Sequence, residues 1–142
     1  MIASLAVACD YALIDQHGKL SVLGIFERIW VENFPAVHPR LHLVLRLKGR
    51  RTEIGEHPIV IRLVDSGGRE VLRGDGSVQI GEPPAGVLEV EAGAVLAFDV
   101  PLERPGIYTF EIAVDGSLEA TVPITVSQIP VPAAPAPPNA QN

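Results

Sequence analysis

The stretch Arg104-Pro-Gly-Ile-Tyr-Thr-Phe-Glu-Ile-Ala-Val-Asp-Gly-Ser-Leu-Glu-Ala-Thr-Val-Pro-Ile-Thr-Val126 reads as one complete antiparallel hairpin. Its lead-in is the kind found at the corner of immunoglobulin-like sandwiches. Tyr108, Phe110, Ile112 and Val114 alternate with Thr109, Glu111 and Ala113, so a strand there buries one face and wets the other. Asp115-Gly116 turns the chain, and Leu118, Ala120, Val122, Ile124 and Val126 keep the period of two on the way back. Pro123 lies inside that return arm and donates no ladder hydrogen bond, which predicts an edge strand or an amide position facing outward.

The same alternation recurs toward the N-terminus. Leu5, Val7, Cys9, Tyr11 and Leu13 form a first core strand, Asp15-Gln16-His17-Gly18 turns it, and Lys19 to Ile25 returns. Leu41, Leu43, Leu45 and Leu47 alternate with His42, Val44, Arg46 and Lys48, and Gly49 to Glu56 follows as a charged loop. Ile59, Ile61 and Leu63 lead to the turn Asp65-Ser66-Gly67-Gly68 and a short return arm, Arg69 to Arg73. Gly74 to Gly86 is rich in glycine and proline, predicting irregular chain or one weak strand near Val78 to Ile80. Leu88 to Glu91 and Val95 to Val100 read as two strands split by Ala92-Gly93-Ala94. Seven to nine strands, closely spaced turns and no sustained helical period predict an all-β chain: an immunoglobulin-like antiparallel β-sandwich with little helix. Residues 1–127 form its single domain, and 128–142, dominated by proline and alanine, reads as a disordered or polyproline-like tail.

Composition excludes several classes of function. A chain of 142 residues with a net charge of −6 has no cationic surplus for phosphate backbones or anionic lipid, which argues against nucleic acid and membrane as partners. No apolar run approaches the roughly 20 residues that span a bilayer. Leu5-Ala-Val-Ala-Cys9 looks like the end of a lipoprotein signal, but no Lys or Arg precedes it and strand alternation continues through it. Cys9 therefore reads as a buried structural thiol. As the single cysteine it allows no internal disulfide, which favours a reducing, cytoplasmic setting.

Catalytic chemistry is not visible. His38 and His42 are separated by Pro39, which excludes a helix, and in extended chain they stand roughly 13 Å apart, too far to grip one ion as local partners. His17 and His57 belong to a turn and a loop exit. No serine sits in a nucleophile elbow, and a thiol among apolar neighbours holds its proton tightly. Glu89 and Glu91 form an acid pair of the solubilising kind, and Arg73-Gly74-Asp75 is turn chemistry. No catalytic residue, metal ligand or cofactor is predicted.

What remains is the segment from Phe26 to Arg40, where Pro35 and Pro39 break any regular element and a crossover loop between sheets is predicted. Arg28, Trp30, Phe34, His38 and Arg40 combine the lone tryptophan with aromatic and basic neighbours, a composition that interface hot spots favour. A sandwich crossover more commonly tucks its aromatics under the sheet edge; exposed, the same residues would form a binding patch. The expected function is a non-enzymatic protein-interaction or accessory module that binds a protein partner or self-associates through an edge strand. One alternative is a small-molecule binder or hydrolase using His38, Asp10 and Arg40 at the sandwich end, and another is a structural subunit tethered by its tail.

Six short blocks carry a family likeness: Cys9-Asp10-Tyr11-Ala12, Gly18-Lys19-Leu20, Gly24-Ile25-Phe26, Phe34-Pro35-Ala36-Val37-His38-Pro39, Gly55-Glu56-His57 and Pro105-Gly106-Ile107-Tyr108. In that order they resemble the small bacterial proteins of domain of unknown function 6941, over nearly the whole chain except the tail. The resemblance implies a compact cytoplasmic β domain and assigns no activity. Asp10, Gly18, Gly24, Phe34, Pro35, His38 and Pro39 match its pattern, which directs attention to the first hairpin and the crossover.

Overall fold

In the computed structural model, which describes residues 1–130, the alternating segments become nine strands. They are β1 (Ile2–Ile14), β2 (Leu20–Ile25), β3 (Arg28–Val31), β4 (Ala36–Arg50), β5 (Gly55–Val64), β6 (Glu70–Ile80), β7 (Glu89–Leu102), β8 (Gly106–Val114) and β9 (Ser117–Gln128). The helical content of the described residues is one 3-10 turn, Arg51–Glu53. A four-stranded sheet ordered β2-β1-β4-β7 faces a five-stranded sheet ordered β3-β9-β8-β5-β6. Leu41, Leu43, Leu45 and Leu47 from the first meet Ile59, Ile61, Leu63, Phe110, Ile112 and Ile124 from the second. This is the immunoglobulin-like sandwich: β1-β4-β7 stands as strands A-B-E and β5-β8-β9 as C-F-G, with β3 laid parallel beside β9.

The corner and the turn of the closing hairpin follow from their residues. Where the chain crosses from β7 to β8, the Tyr108 hydroxyl donates to the Arg104 carbonyl at 2.8 Å, tying the start of β8 to the corner before it. At the other end Asp115 and Gly116 have φ of 53° and 81°, the pair of positive values that a two-residue hairpin turn requires. Pro123 is reconciled by register. The Thr125 amide donates to Glu27 across the β3 side, so the missing proline donor two residues earlier faces the same side, before β3 begins to pair.

Outside the Phe26 to Arg40 segment, four details differ from the sequence reading. Gly74 to Ile80 continues β6 instead of breaking, because glycine is what fits there: a Cβ on Gly74 would stand 3.0 Å from the Phe98 ring, where the two sheets close. β7 is unbroken through Gly93, whose missing side chain makes room for Ile14, 3.3 Å from where a Cβ would be. The charged stretch after Leu47 is also more regular than expected, since β4 runs to Arg50 and β5 begins at Gly55.

The fourth difference concerns β1. Its residues facing the main core are small, Ala3, Ala6 and Ala8, whereas Leu5, Val7 and Cys9 lie on the outer face of the first sheet. They are covered there because the β1-β2 hairpin bends at Asp10, opposite Gly24, which sits at φ 68° and where a Cβ would strike the Asp10 carboxylate. Beyond the bend Ala12, Leu20 and Val22 pack over Cys9, Val44 and Val95 as a second, smaller core. Cys9 is fully buried, and burial pushes its thiol pKa up.

Candidate functional site

The bend at Asp10 and the short strand β3 bring together residues that are distant in sequence. Arg28–Val31 is not an irregular crossover but the edge strand of the five-stranded sheet, with Ile29 and Val31 buried and Arg28 and Trp30 outward. The alternation that points two side chains into the core necessarily points the other two to solvent. Trp30 is 57% exposed, and the Arg28 guanidinium lies 5.4 Å from its ring centroid. Arg28 also donates to the Ser127 hydroxyl at 2.5 Å, which holds it against β9.

Two shallow grooves meet at Trp30 and His38. One, of about 290 Å³, is lined by Asp10, Ile25, Phe26, Arg28, Trp30 and His38. The other, of about 330 Å³, runs past Trp30, Glu32, Asn33, Val37 and His38. His38 is half-buried and tilts against the Phe26 ring at 5.5 Å. Burial pushes its pKa below the ordinary imidazole value, with the Asp10 charge opposing.

Of the five residues singled out by sequence, the structure brings Arg28, Trp30 and His38 together. Phe34 is half-buried and packs against the main core. Arg40 stands apart, in the irregularity of β4 between His38 and Leu41, at φ 50° with its amide donating to Asp99 at 2.9 Å. Its carbonyl accepts the Nδ1 proton of buried His42 at 2.8 Å, and the His42 ring lies tilted against Tyr11 at 5.3 Å. Asp10, His38 and Arg40 therefore do not form one site, since Arg40 lines neither groove. Sequence reasoning included Phe26 and Val37 in the Phe26 to Arg40 segment without singling them out, and left out Ile25; Ile25 and Val37 are 58% and 61% exposed. The sequence signal is weak, because an exposed apolar residue has the same pattern in sequence as a core one.

What the grooves offer is an apolar floor with one cation, Arg28, two carboxylates, Asp10 and Glu32, and the His38 imidazole at its rim. Among the described residues no three His, Cys, Asp or Glu side chains converge as metal ligands. No helix among them is long and apolar enough to cross a membrane.

A family model described as "Family of unknown function (DUF6941)" matches residues 4–127, and the chain belongs to that family. No curated protein matches it. A solved structure, "The crystal structure of glycosyl hydrolase family 2 (GH2) member from Bacteroides cellulosilyticus DSM 14838", is similar over 61% of this chain, at 15% identity and a TM-score of 0.40. The chain spans 12% of that protein.

Proposed function

We propose that this member of the family is a non-enzymatic interaction module of the cytoplasm, which holds a protein partner on the β3 edge and the two grooves beside it. The observation that carries the reading is Trp30: a large aromatic ring left 57% exposed on an edge strand, with an arginine over its face. Trp and Arg are the residues that most often anchor interfaces, and half-buried Phe26 and His38 with exposed Val37 beside them would exclude water around them.

Paired substitution tests the reading. Trp30→Ala and Arg28→Ala should each lower recovery of a specific partner at least tenfold in quantitative pull-downs, since such anchors contribute about 2 kcal/mol or more. Thermal unfolding should stay nearly unchanged, because both side chains are exposed. A large loss of stability with undiminished binding would overturn the proposal.

A further inference from the structure

Among the described residues, each open edge of the sandwich except one carries a charge, a proline or a shortness that discourages pairing with another chain. β7 bears Glu89, Glu91, Asp99 and Pro101; β6 bears Glu70, Arg73 and Asp75; and β3 is four residues long with Arg28 at its head. The exception is β2, the other edge of the four-stranded sheet. Its six residues, Leu20-Ser21-Val22-Leu23-Gly24-Ile25, include no charge and no proline. Leu23 and Ile25 are 63% and 58% exposed, and Tyr11 and Leu13 continue the apolar strip across the β1 ladder.

The backbone of β2 is also open from Leu20 to Leu23, ahead of the bend at Gly24. The Asp15 amide donates to the Lys19 carbonyl, and bonded pairs alternate along an antiparallel ladder. Ser21 and Leu23, paired with Leu13 and Tyr11, therefore spend their backbone groups on β1, while Leu20 and Val22 turn theirs to the free edge. The four apolar side chains expose on the order of 400 Å² per copy, about half of the roughly 800 Å² that each side of a standard interface contributes.

We propose that two copies of this chain associate by antiparallel pairing of β2 with β2, joining two four-stranded sheets into one of eight. The register follows from charge. With Leu23 of each copy opposite the same residue of the other, Ser21 faces Ile25 and Lys19 comes to the end of the ladder where Glu27 of the second copy stands. Lys19 and Glu27 are exposed, and neither belongs to an ion pair among the described residues. The twofold axis makes both pairs at once, which offsets the repulsion between two chains of net charge −6.

Sedimentation equilibrium of the full chain tests this. A concentration-dependent dimer is expected. Leu23→Lys places two ammonium groups on the axis and should weaken it at least tenfold with an unchanged circular dichroism spectrum. Lys19→Glu should weaken it as well, and Lys19→Glu combined with Glu27→Lys should restore it, which a general effect of either change would not do. A wild-type chain that stays monomeric up to roughly 100 μM overturns the proposal. So does a dimer that persists in Leu23→Lys, or a charge swap that fails to rescue. A dimer broken by Trp30→Ala but not by Leu23→Lys would move the interface to β3 and refute the β2 pairing, leaving the Trp30 site itself intact.

Discussion

Tyr108 shows how one side chain can carry a corner of the fold. Its ring is buried in the main core and its hydroxyl reaches the Arg104 carbonyl at 2.8 Å. Phenylalanine keeps the ring and loses only that bond. Tyr108→Phe should lower unfolding free energy by about 1 kcal/mol, read from the urea midpoint at unchanged slope. Such residues are legible in sequence because Arg104-Pro-Gly-Ile-Tyr108 places the tyrosine just after a proline-glycine corner, where its partner is local. Trp30 is not legible in the same way. Whether an aromatic residue in a four-residue strand points in or out depends on the parity set by its neighbours Ile29 and Val31, and only pairing with β9 fixes that parity. Cys9 misleads for a related reason: its alternation with Leu5 and Val7 is real, but the core those residues share is the small one outside the sheet.

At the scale of elements, the turn between β4 and β5 is fastened to the β8-β9 turn through His57. Its Nε2 donates to the Glu53 carbonyl at 2.5 Å and its Nδ1 to the Asp115 carboxylate at 2.7 Å, so both ring nitrogens carry protons. These contacts, the Glu53 carbonyl first, raise the His57 pKa above its ordinary 6.5. Glu53 is held below the usual carboxylate range by its bond from the Met1 amine, 2.8 Å away. A raised imidazole pKa stabilises the fold fully below the unfolded value and loses that contribution as pH climbs through the folded one. His57→Gln should therefore lower the melting temperature markedly at about pH 5.5 and much less near pH 8.5. A deficit of equal size at both values would mean that the contact acts by packing alone. Gly55-Glu56-His57 gave no hint of this clamp, because its partners come from a carbonyl four residues before and a turn 58 residues later. By contrast, the turns at Asp15 and Asp65 were readable, since in each the aspartate accepts amides two and four residues ahead.

Over the whole molecule, period-two alternation was enough to reveal a two-sheet sandwich, and glycine content was the least reliable guide within it. Gly74 and Gly93 looked like breaks in strands and instead let sheets or a hairpin approach closely. The hairpin that curls over the outer face leaves the four-stranded sheet covered on both sides, with cores of unequal size. The larger must come apart only when the molecule unfolds, whereas the smaller needs only two strands to peel away. The lone thiol lies beneath those strands and is fully buried. Cys9 is thus a built-in reporter of local opening. Alkylating reagents should modify it in native conditions at a rate nearly independent of low urea, governed by a smaller free energy than global unfolding. Labelling that instead tracks the global transition, with a full dependence on denaturant, would mean that the hairpin and the sandwich melt as one cooperative unit.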